Sequence, residues 1–138
     1  MSETISTGDP AGAMVLVADD DDDLRALVLD ALRADGYRVR GVRNGVQMLA
    51  VVAETLEDPE ARPDVLVIDA QMPELSGFGV LEELRRTHVR TPALMISGFH
   101  PASVAMLARR LGAVAVLKKP FDLAQLREAV IRARDLLP

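Results

Sequence analysis

Apolar residues fall in short unbroken runs along much of the chain. Met14-Val15-Leu16-Val17-Ala18, Val65-Leu66-Val67-Ile68, Ala93-Leu94-Met95-Ile96 and the shorter Ala115-Val116-Leu117 contain no alternating polar residue. The first three read as strands buried on both faces, as in the middle of a parallel sheet, and the last as a short fifth strand. Tyr37 to Val42 instead alternates apolar residues with Arg38 and Arg40, the pattern of an edge strand with one wet face. Between the runs the apolar spacing changes to helical. Leu24, Leu27, Val28, Ala31 and Leu32 mark a first helix that stops near Asp35, with Gly36 as its left-handed cap. Asn44-Gly45 reads as a turn, and Val46, Leu49, Ala50, Ala53 and Leu56 as the inner stripe of a second helix. Phe78, Leu81 and Leu84 predict a third ending near Arg86. The fourth opens at Pro101, buries Val104, Leu107, Ala108 and Leu111, and stops at Gly112. Leu123, Leu126, Val130, Ala133 and Leu137 line a fifth.

Five strands alternating with five helices specify an α/β fold, a doubly wound five-stranded parallel sheet, because right-handed crossovers place helices on both faces. The pattern alone leaves the strand order open. In such sheets ligands sit beyond the carboxyl ends of the strands. Those ends carry Asp19 and Asp20, Asp69, Ser97 and Lys119. Residues 1–13 show no periodicity and read as a flexible tail, with one domain from 14 to 138.

Composition narrows the chemistry. The 138 residues are 49% hydrophobic, enough for one core, and the formal charge of −5 without a Lys/Arg run argues against direct nucleic-acid binding. No cysteine is present, and two isolated histidines, His88 and His100, cannot make a zinc site. No signal peptide and no membrane-length apolar stretch is visible, so the expected location is cytoplasmic.

The aspartate run from Asp19 to Asp23 has a structural reading, with Asp22 or Asp23 capping the first helix. That reading does not reach Asp19 and Asp20. Converging carboxylates repel unless a cation neutralises them, and an all-oxygen set favours Mg²⁺ or Mn²⁺. Asp69 then has an oxygen left for attack on a phosphoryl group, whose charge a metal, the Lys119 ammonium and the Ser97 hydroxyl would stabilise.

With these residues in place, the chain resembles a response-regulator receiver domain, the phosphoacceptor module of two-component signalling. Val15 to Asp20 resembles the first strand with its acidic pair, Asp69-Ala70-Gln71-Met72-Pro73 the phosphoacceptor segment, Ser97-Gly98 the switch hydroxyl and Lys119-Pro120-Phe121 the lysine loop. The resemblance implies a flavodoxin-like strand order 2-1-3-4-5. It makes Asp69 the phosphoacceptor, has Asp20 and Asp69 bind Mg²⁺ directly, Asp19 through water, and the Gln71 backbone carbonyl complete the set. It also implies a cis Lys119-Pro120 bond, and a histidine kinase or histidine phosphotransfer protein as donor. A receiver signals through a partner or a relay and is not an enzyme beyond its own phosphorylation and dephosphorylation. The chain would be a stand-alone receiver or part of a longer protein.

Val116 stands three residues before Lys119, where the family usually has Tyr or Phe. The coupling between Ser97 and the face of helix four, strand five and helix five is therefore altered. Phe99 is a candidate substitute. A phosphate-independent binding module is the alternative function. A phosphohydrolase would need an acid two residues after Asp69, where Gln71 stands. Ser76-Gly77-Phe78-Gly79 is no nucleotide fingerprint. Arg109, Arg110, Arg127 and Arg134 read first as a solvated face, with an acidic partner docking near helices four and five as the other reading.

Overall fold

The computed structural model describes residues 12–98 and 102–136. Strand β1 (Met14–Ala18) is followed by α1 (Asp22–Ala34), β2 (Arg38–Val42), α2 (Gly45–Thr55), β3 (Val65–Asp69) and α3 (Gly77–Arg86). Then come β4 (Ala93–Ser97), α4 (Ala102–Arg110), β5 (Ala113–Lys118) and α5 (Leu123–Arg134). All four pairings are parallel and the order is β2-β1-β3-β4-β5. This is the order the resemblance implied, with the alternating strand at one edge.

Successive strand side chains point to opposite faces, and this splits the core in two. Leu16, Leu66, Ile68 and Met95 face one layer with Met48, Val51 and Val52 of α2, Val80, Leu81 and Leu84 of α3, and Ala108 of α4. Val15, Val17, Val65, Val67, Leu94 and Ile96 face the other with Val28 and Leu32 of α1 and Leu126, Ala129, Val130 and Ala133 of α5. Burial on both faces is why β1, β3 and β4 lack polar alternation.

Helix α2 buries a different stripe from the one its spacing predicted. Met48, Val51, Val52 and Thr55 face inward, while Val46 and Leu56 are exposed. The helix is apolar nearly all round, so several stripes fit a helical period. Gly45 decides between them: a Cβ there would lie 2.5 Å from Val80 Cγ2, so the first turn backs directly onto α3. Asn44 is the cap of this helix, its side chain accepting from the Gln47 N–H, and Gly45 is the first helical residue.

Smaller differences have local causes. Asp21 caps α1, accepting from the N–H groups of Asp23 and Leu24, and Asp22 and Asp23 occupy the first turn. Leu27 is half exposed at the margin of the stripe, beside a groove lined by Leu24, Phe121 and Leu123. Leu107 is also half exposed, because α4 packs over β5 at the open edge of the sheet. β5 is longer than its apolar run, from Ala113 to Lys118. Gly36, with φ of 97°, ends α1 as its cap position predicts. The expectations for Phe99, Pro101 and Leu137, and for most of the tail, lie outside the described residues.

Candidate functional site

Parallel strands end together, so the carboxyl edge of the sheet collects the residues that follow β1, β3, β4 and β5. Backbone bonds hold these ends in register: Asp19 N–H to Val42 O at 3.2 Å, Ala70 N–H to Ile96 O at 2.8 Å, and Lys119 N–H to Ser97 O at 2.8 Å. Asp19, Asp69 and Ser97 are buried, Lys119 is half buried and Asp20 is exposed. One carboxylate oxygen from each of Asp19, Asp20 and Asp69 falls within 4.8 Å of the others. All five candidate side chains thus occupy one edge.

The contacts of Asp69 are divided between its two oxygens. Oδ1 accepts from the Gln71 N–H at 3.0 Å, and Oδ2 lies 3.3 Å from the Lys119 ammonium. The Lys119-Pro120 peptide is cis. The Gln71 carboxamide spans the neighbouring strand end. Its Nε2 donates to Ser97 Oγ at 3.1 Å, and its Oε1 accepts from the Gly98 N–H at 3.2 Å. Arg25, one turn into α1, donates to the Asp19 carbonyl at 2.8 Å and to Asp22 Oδ1 at 2.7 Å. The chain reading missed these roles of Gln71 and Arg25. Gln71 was named for its backbone carbonyl and its place two residues beyond Asp69, not for its side chain, and Arg25 carries no motif.

Burial pushes the Asp19 carboxyl up to about 6; the Asp21 N–H bond to its Oδ1 opposes this, Asp69 adds to it and Lys119 opposes it. Its other oxygen, Oδ2, is buried and receives no hydrogen bond. A carboxylate oxygen left bare among two further carboxylates is the donor set of a hard cation, which takes oxygen ligands. These residues fit a divalent ion.

The Asp19 burden gives a stability prediction. The folded-state value lies above that of the unfolded chain, so the folded protein takes up the proton first. Stability without metal therefore rises as pH falls from 7 through 6, and the gain is complete near 4. Asp19→Asn removes the penalty and should stabilise the metal-free protein at pH 7 by on the order of 1 kcal/mol, the difference vanishing towards pH 4. Urea unfolding with chelator at both pH values measures this; a loss of stability at pH 7 would contradict it.

The sequence model of the response regulator receiver domain matches residues 15–131. The chain belongs to the response regulator receiver family. Among curated relatives, the regulatory protein AtoC of Escherichia coli K12 is 33% identical over 122 residues, covering 88% of this chain and 25% of AtoC. The sporulation initiation phosphotransferase F of Bacillus subtilis is 25% identical over 116 residues, covering 84% of this chain and 89% of that protein. The receiver thus spans a quarter of one relative and most of another. A solved response regulator receiver domain protein from Clostridium thermocellum superimposes with a TM-score of 0.80 at 27% identity, covering 89% of this chain and 94% of that one.

Val116 stands three residues before Lys119. That side chain is half buried and packs against the core layer beneath α2, α3 and α4. Among the described residues no helix is long and apolar enough to cross a membrane.

Proposed function

We propose that this receiver accepts a phosphoryl group on Asp69 from the phosphohistidine of a histidine kinase or histidine phosphotransfer protein. The observation that carries this reading is the gathering of Asp19, Asp20 and Asp69 within 4.8 Å of one another, with the Lys119 ammonium 3.3 Å from Asp69 Oδ2. An Asp69 oxygen bonds to phosphorus as the phosphorus–nitrogen bond breaks, and the electron pair leaves with the donor imidazole. Lys119, already oriented on Asp69, sits where negative charge on the transferring group develops, and Ser97 supplies a hydroxyl from the next strand. Asp20 and Asp69 would hold Mg²⁺ or Mn²⁺ directly, with Asp19 through water and the Gln71 backbone carbonyl as a further ligand. When bound, the ion neutralises charge on the phosphoryl oxygens.

The domain, residues 14–138 after an N-terminal segment of residues 1–13, acts in the cytoplasm as a signalling module whose only chemistry is its own phosphorylation and dephosphorylation. It switches a protein partner or passes phosphate onward. Met106, Leu107 and Ile131 expose apolar surface on α4 and α5, and this favours the face of α4, β5 and α5 for that partner. The complete acidic set with Ser97 and Lys119 speaks against the phosphate-independent alternative. Nothing in this reading requires nucleic acid or membrane.

Intact mass after incubation with Mg²⁺ and a phosphoramidate tests it. One metal-dependent phosphate adduct is the expected result, and none with either a small donor or a phosphohistidine protein rejects it. Asp20→Ala should weaken Mg²⁺ binding at least about tenfold while leaving the fold intact, because Asp20 is exposed and supplies charge to the site without packing in the core. A metal titration equal to wild type would remove Asp20 from the ligand set.

A further inference from the structure

The opposite edge of the sheet carries a concentration of charge of the other sign. A recess of about 340 Å³ lies between the ends of α3 and α4, walled by Arg85, His88, Arg90 and Arg110 and closed by Leu111 and Gly112. Among the described residues no carboxylate lines it, in a chain whose formal charge is −5. The length of β4, roughly 15 Å, separates this edge from Ser97, so the recess is distinct from the Asp69 site.

Basic residues at the carboxyl ends of helices have an ordinary explanation, since the free carbonyls there favour cations. Arg85 fits it. Its Nε donates to Leu111 O at 3.0 Å, its Nη1 to Val89 O at 2.8 Å and Thr91 O at 3.0 Å, and its Nη2 to Gly112 O at 3.3 Å. One N–H of the guanidinium, on Nη2, is left over. Gly112 makes room for this grip: its φ is 92°, and a Cβ there would lie 2.8 Å from Arg85 Nε. Carbonyl dipoles cancel no net charge, and burial first, then the Arg90 charge, lower the Arg85 pKa from its ordinary value.

Arg90 and Arg110 are not absorbed in this way. Both are exposed, and among the described residues neither makes a hydrogen bond or an ion pair. Asp64 lines the adjoining recess with His88 and Arg90, but its Oδ2 accepts from the Met14 N–H at 2.8 Å. Elsewhere near α5, Arg127 pairs with Asp35 and Arg134 with Asp135. Three guanidiniums, from α3, the loop after it and the end of α4, therefore line one recess with two of them unspent. Planar forks reaching in from different segments suit a tetrahedral group with several peripheral oxygens better than a carboxylate with two. A recess of this size takes a small molecule and not a helix or strand.

We propose that this recess binds the phosphoryl group of a small phosphorylated ligand, with Arg90 and Arg110 gripping its oxygens and Arg85 fixing the floor. The site is independent of the phosphoacceptor reading, since it shares no residue with the carboxyl edge.

Amide chemical shifts of the full chain, dialysed free of divalent metal and titrated with inorganic pyrophosphate at low salt, test this. Saturable shifts are expected at Val89, Arg90, Leu111 and Gly112, with Gln71 and Gly98 unmoved. Arg90→Gln and Arg110→Gln should each weaken binding about fivefold, the upper worth of one exposed charge contact, and the double variant should lose it. Arg109→Gln removes the same charge one residue away from the lining and should stay within about twofold of wild type at ordinary salt, where distant charges are screened. The spectra themselves report that each variant is folded, and the Mg²⁺-dependent adduct on Asp69 should form in the double variant as in wild type.

No saturable shift up to about 10 mM pyrophosphate overturns the proposal. Equal weakening by Arg109→Gln also overturns it, reducing the recess to a diffuse positive field. Tighter binding of hexaglutamate than of pyrophosphate at the same amides overturns the choice of ligand and assigns the surface to an acidic protein segment. Shifts confined to Gln71, Ser97 and Gly98 would place the anion at the carboxyl edge and reject the recess.

Discussion

Asp69→Asn is expected to abolish the phosphate adduct and leave the domain folded. The carboxylate is the nucleophile in the proposed reaction, and a carboxamide at that place carries no charge with which to attack phosphorus. The amide oxygen still accepts from the Gln71 N–H, so the turn after β3 keeps its hydrogen bond. The Lys119 contact weakens, but one of three crowded carboxylates is neutralised and repulsion on buried Asp19 falls. The net effect on stability is therefore small. Intact mass should fall by at least about a thousandfold in adduct yield, the loss expected when the attacking group itself is removed. Circular dichroism and urea unfolding should match wild type. A mutant still labelled at the wild-type level would place the phosphate on another residue.

Gly77→Ala should cost about 1–3 kcal/mol of stability and slow phosphorylation at the same time. Gly77 opens α3 where the helix meets the end of β3, and its N–H donates to Ala70 O at 3.0 Å. A Cβ there would lie 2.5 Å from the Asp69 carbonyl oxygen, 2.6 Å from Met95 Cε and 2.9 Å from Ala70 Cα. Two of these neighbours are backbone, so the helix or the Asp69 segment must move. Either displacement reaches the site, since Asp69 is held by its own strand end and by Gln71.

Gly79→Ala provides the contrast two residues further on. Its Cβ would meet Leu75 Cδ1 at 2.6 Å, the tip of a half-buried side chain that can turn aside. Alanine also favours a helix interior over glycine by roughly 1 kcal/mol, so this variant should lie near wild type. Chemical denaturation of both proteins, with adduct formation measured alongside, checks the pair. Equal stability of Gly77→Ala and wild type would show that α3 and β3 are not packed as closely as described.

The elements and the carboxyl edge were legible because their signals are local. Unbroken apolar runs mark the three central strands, and alternation at Arg38 and Arg40 marks β2 as an edge. Once the strands are parallel, Asp19, Asp20, Asp69, Ser97 and Lys119 must share one end of the sheet. The strand order came from the resemblance, because several orders bury the same apolar runs. Helix α2 went wrong where the signal was degenerate: Val46, Ala53 and Leu56 are apolar like Met48, Val51 and Val52, and only contact with α3 distinguishes the faces.

The cap of α1 shows the same limit on a smaller scale. Within a run of five aspartates any of several can accept the free N–H groups, and the backbone conformation at Asp21 selects that one. The Gln71 bridge was hidden for a stronger reason, since its partners lie 26 and 27 residues away.

By itself, the sequence of this receiver determined which segments become strand or helix and which chemical groups stand at the strand ends, since burial pattern and chain direction settle both. Tertiary structure alone decided which face of α2 turns inward, how deeply Asp19 is buried and what Gln71 holds. Those outcomes depend on close packing and hydrogen bonds between residues far apart in the chain, and no local pattern records the partner.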